Sequence, residues 1–296
     1  MKLRKTLAGL AAFTVLILAC GGSATTTPAA TPADSATPSV TGAATATPAP
    51  TAISGPTPEP TATPAPPTPT PTPAPPADAQ ERLDAGVELR EEGEFEAAIA
   101  EYDRAIDLYP DYAEAYNNRG AAYFHLGQID RAVQDYDQAI VLDGEYAEAY
   151  NNRGTAYLNQ GETERAIQNY NQAILFNVDY GAAYNNRGAA NFRLGQLERA
   201  MRDFGDAIFL DPKDAGAYVN RGLAQINLEQ VDLAIVDFDE AILLDDEYAD
   251  AYASRGLAYI RTGRDAEAGQ DLDRAAELGL NRELLEQMAE ELRQQR

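Results

Sequence analysis

The stretch Ala115-Tyr116-Asn117-Asn118-Arg119-Gly120 returns unchanged as Ala149–Gly154 and as Ala183–Gly188. It returns again, altered, as Ala217-Tyr218-Val219-Asn220-Arg221-Gly222 and Ala251-Tyr252-Ala253-Ser254-Arg255-Gly256. Each copy begins 34 residues after the last. A fixed period of this length marks an array of supersecondary units that bury their apolar faces by stacking.

Six units fit the period: 79–112, 113–146, 147–180, 181–214, 215–248 and 249–282. Small residues hold fixed places: glycine at position 8 (Gly86 through Gly256), alanine at position 20 (Ala98 through Ala268) and alanine at position 27 (Ala105 through Ala275). Tyrosine holds position 4 in units two to six (Tyr116, Tyr150, Tyr184, Tyr218, Tyr252). Position 24 is Tyr102, Tyr136, Tyr170, Phe204 and Phe238, then Leu272. Small residues let two helices approach closely, and bulky ones fill what remains. Each unit therefore reads as two helices divided at position 15, which is Gly93, Gly127, Gly161, Gly195 or Gly263, with Glu229 the exception.

This pattern resembles the tetratricopeptide repeat family, and the resemblance covers all 204 residues of 79–282. It implies an all-α, right-handed superhelix of six helix-turn-helix repeats. The position-32 proline of the family survives only as Pro110 and Pro212, so the other turns are expected to be softer. Residues 283–296 place Leu284, Leu285, Met288 and Leu292 on one helical stripe, as a capping helix does.

Position 7 carries Arg119, Arg153, Arg187, Arg221 and Arg255, where the family usually has a partly buried leucine. A charge at that depth needs a partner. Position 23 offers Glu101, Asp135, Asn169, Asp203, Asp237 and Asp271. The expectation is a repeating arginine–carboxylate tie between first and second helices, within or between units.

In the family the first helix of each unit lines a concave groove. Position 6 carries Asn118, Asn152, Asn186 and Asn220, with Asn117, Asn151 and Asn185 beside the first three. The row resembles the asparagine ladder of the repeat superhelix of O-linked N-acetylglucosamine transferase, which implies that these side chains hold a peptide's main chain. A carboxamide has both donor and acceptor and can pair with a backbone N–H and C=O together. The alternative is that the asparagines satisfy neighbouring helices. Arg193 and Arg261, at position 13, are candidates for a ligand's acidic groups, or else cations near a helix C-terminus. The lysines of the dicarboxylate clamp in chaperone-binding relatives are absent. Seven arginines against Glu114, Glu148 and Asp250 on the first helices of units two to six predict a groove that is not acidic.

The net charge of −24 lies entirely beyond residue 78, because the three basic and three acidic residues before it cancel. That excess argues against nucleic acid. One cysteine, Cys20, and one histidine, His125, exclude the usual zinc and iron sites and make nucleophile–histidine chemistry improbable. No cofactor or metal is expected, and the reading is a non-enzyme. The many carboxylates alone would serve a glycan hydrolase, but nothing in the sequence clusters them.

The start of the chain has its own logic. Met1–Lys5 is positive and Thr6–Ala19 is apolar, as in a secretory leader. Ile17-Leu18-Ala19-Cys20 resembles a bacterial lipobox, which implies a signal peptide over 1–19 and lipidation of Cys20. Residues 20–78 form a tether rich in Thr, Ala and Pro, holding 16 of the 18 prolines and predicted disordered and extended. The resulting expectation is a lipoprotein on the extracytoplasmic face of the cell membrane. It binds extended peptide segments of envelope or secreted proteins and touches the membrane only through its anchor. A self-associating structural envelope protein is the alternative.

Overall fold

A computed structural model describes residues 74–296. The leader, Cys20 and the tether up to residue 73 lie outside the described residues. The described residues form thirteen helices and no strand. Six pairs follow one another: α1 (Ala77–Glu91) with α2 (Phe95–Leu108), α3 (Ala113–His125) with α4 (Ile129–Leu142), and α5 (Ala147–Asn159) with α6 (Thr163–Phe176). Then come α7 (Gly181–Arg193) with α8 (Leu197–Leu210), α9 (Ala215–Asn227) with α10 (Val231–Leu244), and α11 (Ala249–Thr262) with α12 (Asp265–Glu277). A single helix, α13 (Arg282–Gln295), ends the chain.

The turn inside each pair needs a left-handed residue. Gly127 has φ of 70°, and its N–H donates to the Phe124 carbonyl at 2.9 Å while the Gln128 N–H donates to that of Tyr123 at 2.9 Å. This satisfies the last carbonyls of α3. Glu229 adopts the same conformation with φ of 60°, the one side-chain-bearing residue with positive φ among the described residues.

The close approach within a unit is visible at Gly154. A Cβ there would stand 2.7 Å from the Tyr170 ring, so the glycine seats the tyrosine directly on the first helix. In the sixth unit Leu272 replaces the aromatic, and a Cβ on Gly256 would meet it at 3.1 Å. The alanines at positions 20 and 27 and the rings at position 24 are almost wholly buried. Truncating one such ring to alanine costs about 3–5 kcal/mol in a packed core.

The turns between units share one pattern. They close alike with or without proline at position 32. Asp143, Asn177, Asp211 and Asp245 at position 31 each accept the N–H two residues on, at 3.0–3.1 Å. A side-chain acceptor thus holds the turn where the fixed φ of proline is missing.

First helices of neighbouring units approach one another more closely than second helices do. The stack therefore curves toward its first helices, which line the inner surface. α13 packs on α11 and α12, burying Leu285 and Ala289, with Met288 and Leu292 partly covered. Asn281 caps it by accepting the Leu284 N–H at 3.0 Å.

Candidate functional site

The position-7 arginines turn away from the inner surface. Arg119 donates through Nε and Nη2 to both carboxylate oxygens of Asp135, at 2.8 and 2.7 Å. Arg221–Asp237 and Arg255–Asp271 repeat this two-pronged pairing, and Arg187 pairs with Asp203 in the same way. Arg153 meets the amide oxygen of Asn169 instead, at 2.8 Å. The expected arginine–carboxylate tie to position 23 is thus present in four of the five units, and an amide takes the carboxylate's place in the third.

A further partner was not expected from the sequence. Nη1 of Arg119 reaches Asp103 at 2.6 Å, in the second helix of the preceding unit. Arg153–Asp137, Arg187–Asn171 and Arg255–Asp239 repeat the reach, whereas Arg221 faces Gly205 in that register and lacks it. One guanidinium thus pins three helices. Each also lies 5.3–5.7 Å from the centroid of its own position-4 tyrosine ring. Hydrogen bonding to Asp271 and Asp237 carries the Arg255 and Arg221 pKa upward. Burial pushes the Asp135 carboxyl up even with Arg119 beside it, so desolvation offsets part of the attraction.

These ties correct the groove's charge. With five arginines facing the second helices, the first helices of units two to six are left with Arg193 and Arg261 against Glu114, Glu148 and Asp250. The expected excess of positive charge is absent. At the N-terminal end, burial, then Glu148 and Asp84, raise the Glu114 pKa. In the last unit burial alone raises that of Asp250.

The asparagines form rungs between units. Asn152 donates its carboxamide N–H to Oδ1 of Asn117 at 3.0 Å; Asn186 does so to Asn151 at 3.0 Å and Asn220 to Asn185 at 2.9 Å. Position 6 of one unit is thereby fixed by position 5 of the unit before. Asn118 is the exception. Position 5 of the first unit is Leu83, which offers no acceptor, so Asn118 donates to the Glu114 carbonyl of its own helix at 3.1 Å. At the other end Val219 stands at position 5, and Ser254 is buried with no partner for its hydroxyl. The first asparagines also hold the junctions: Asn117 donates to the Tyr146 hydroxyl at 3.5 Å and Asn185 to Asp214 at 3.3 Å. Asn117 and Asn151 are buried, whereas Asn118, Asn152, Asn186 and Asn220 are partly exposed.

Arg193 donates to the Leu158 carbonyl at 3.3 Å and Arg261 to that of Ile226 at 3.5 Å. Each sits on the last turn of the preceding unit's first helix, where a cation complements the helix dipole. Arg296 does the same for Ile260 at 2.9 Å, so the end of α13 stands in for the arginine of a further unit. His125 stacks on Phe95 with ring centroids 4.7 Å apart, and burial, then Arg90, lower its pKa. Among the described residues, no three His, Cys, Asp or Glu side chains cluster to hold a metal ion, and no helix is long and apolar enough to cross a membrane.

An all-helical stack of paired helices with an amide-lined inner surface defines a repeat scaffold of the kind that binds other proteins. Models of the tetratricopeptide repeat match residues 86–127, 120–161, 147–180, 181–214 and 219–280, and the chain belongs to that family. Comparison with curated proteins finds no significant match. Among solved structures it is similar to a chain of the APC/C hetero-tetramer Cut9–Hcn1, at 20% identity and a TM-score of 0.65, over 73% of this chain and 42% of that one. It therefore spans less than half the length of that relative. It is also similar to a tetratricopeptide repeat protein from Parabacteroides merdae (21% identity, TM-score 0.58, 74% of this chain and 85% of that one). A thermophilic repeat protein from Thermus thermophilus matches at 20% identity and a TM-score of 0.54, over 62% of this chain and 99% of that one. At these identities the likeness shows the fold.

Proposed function

We propose that the protein is a membrane-anchored scaffold on the extracytoplasmic face. Its groove holds extended peptide segments of envelope or secreted partners, and Asn118, Asn152, Asn186 and Asn220 contact their main chain. The rungs carry this reading. Each bond to position 5 engages one N–H of a position-6 carboxamide and sets its orientation. Each carboxamide has a second N–H and its own Oδ1 for a ligand. Groups fixed before binding cost less entropy when the ligand arrives. First helices stacked about 10 Å apart, against an extended chain rising ~3.3 Å per residue, give one contact about every three residues. A segment of about ten residues would span the row. Such recognition reads the backbone and tolerates varied side chains.

The anchor rests on Cys20 after Ile17-Leu18-Ala19, with two or three acyl chains sufficient to hold a soluble domain at a bilayer. Partners are recovered from an envelope extract on the wild-type protein and on a variant with all four position-6 asparagines changed to alanine. The expected result is at least tenfold lower recovery on the variant; equal recovery overturns the ladder. Incorporation of a labelled fatty acid that is lost in Cys20→Ser supports the anchor, and an unlabelled wild type removes it.

A further inference from the structure

The outer surface carries a second row that the groove does not use. Position 29 is Val141, Leu175, Phe209 and Leu243 in units two to five, exposed by 76%, 66%, 84% and 78%. It lies two residues beyond the buried position-27 alanine, about 200° around the helix at 3.6 residues per turn, so it faces away from the core. Equivalent positions of stacked helices lie side by side, so the four side chains form a row along the outer face. Asp107 and Glu277 occupy position 29 in the end units, so the row stops where the inner units stop. α10 adds exposed Leu233 and Val236. Single exposed apolar side chains are ordinary; four in one register, with Leu233 and Val236 on the same helix as the fourth, are more than chance scatter supplies.

The rim of this row is acidic. Asp143, Asp211 and Asp245 stand two residues past position 29, each fixed by the turn bond it accepts. Glu145 and Glu247 follow the first and last of these, exposed, and Asp179 takes the same place in the third unit; Lys213, after Asp211, is the one cation in the series. A second copy of the chain would bring the same acids against its own, and an anionic lipid surface would be repelled in the same way. From this complementarity we infer that the outer face docks a cationic amphipathic segment of another protein. Its apolar side chains cover position 29, and its lysines or arginines meet the rim.

The probe is a labelled 18-residue helical peptide of leucine and lysine, with leucines on one face, titrated against the whole protein by fluorescence anisotropy. Its counterpart replaces every lysine by glutamate. One variant carries Val141→Gln, Leu175→Gln, Phe209→Gln and Leu243→Gln, all at exposed sites. A second carries Asp143→Asn, Asp211→Asn and Asp245→Asn, which leaves the turns intact because Asn177 already closes the equivalent turn at 3.1 Å. The leucine–lysine peptide should bind the wild type, at least tenfold more weakly to the glutamine variant and severalfold more weakly to the asparagine variant. The glutamate peptide should not bind. Equal binding by the wild type and the glutamine variant overturns the inference. So does a concentration-dependent dimer in sedimentation that the glutamine variant abolishes, which assigns the row to a second copy. Flotation with phosphatidylglycerol vesicles that is lost in the glutamine variant overturns it in favour of a lipid surface.

Discussion

Asn186 donates its side-chain N–H to Oδ1 of Asn151 at 3.0 Å, across the junction between the third and fourth units. The bond joins two residues 35 apart in sequence, one buried and one partly exposed. It ties the third unit to the fourth, and under the proposed function it also sets the orientation of Asn186.

Asn151→Leu separates those roles from simple packing. Leucine already occupies position 5 in the first unit, so the side chain fits the fold. Losing the bonds to Asn186 and to the Tyr180 hydroxyl should lower stability by about 1–2 kcal/mol, read as a lower urea midpoint, and release the orientation of Asn186. Asn118→Ala breaks only a bond within its own helix and should cost less than about 0.5 kcal/mol while still weakening ligand binding. Equal losses of stability would contradict the rung assignment.

The arginine ties predict unequal effects from one substitution. Arg255→Leu leaves the buried Asp271 carboxylate without its cation and should cost about 2–3 kcal/mol. Arg153→Leu leaves Asn169, a neutral amide that also donates to the Arg165 carbonyl, and should cost less than about 1 kcal/mol. Arg153→Ala should be worse than Arg153→Leu, because it adds a void. Thermal melting of the three variants checks the order.

Glu229 holds a left-handed turn that five other units assign to glycine. Glu229→Gly removes the Cβ strain and should raise stability by about 0.5–1 kcal/mol, even though glycine costs more entropy to order. A variant less stable than the wild type would mean that the carboxylate has a role the turn geometry does not show.

Asp250 is buried, and burial raises its pKa in the fold above that of the unfolded chain. Between those two values the folded state binds more protons, so stability falls as pH rises through the window. The charged form is therefore a cost at neutral pH that is absent below the unfolded pKa of ~3.9. Asp250→Asn should melt above the wild type at pH 7, and the gap should close toward pH 3. A gap that widens on acidification would reverse the sign.

The sequence made some of this legible and hid the rest for physical reasons. Gly154 and Tyr170, or Arg119 and Asp135, lie at fixed offsets inside one unit, so a period of 34 residues is enough to pair them. Asp103 was not legible as a partner of Arg119, because that contact depends on how one unit leans on the next. The alternative reading, that the asparagines satisfy neighbouring helices, anticipated the rungs but not their pairing of position 6 with position 5 of the unit before, although that pairing left a trace. Where position 5 is apolar, as at Leu83 and Val219, the following position 6 makes no rung. Counting charges on the first helices failed because a long arginine stem carries its charge behind the helix that bears it. The outer row was written plainly in Ala139-Ile140-Val141-Leu142 and Ala207-Ile208-Phe209-Leu210. Four apolar residues in succession exceed what one buried helix face can use.

The central claim is that the groove reads a peptide's backbone. It is tested most directly by calorimetric titration of a partner segment recovered on the groove, comparing two series of that peptide. In one series each side chain is changed in turn to alanine; in the other each backbone nitrogen is methylated in turn, which removes its N–H. The account predicts that methylation at about every third residue weakens binding at least tenfold, while alanine substitutions change it less than about threefold. Affinity that survives every methylation but collapses on loss of one or two side chains would contradict it.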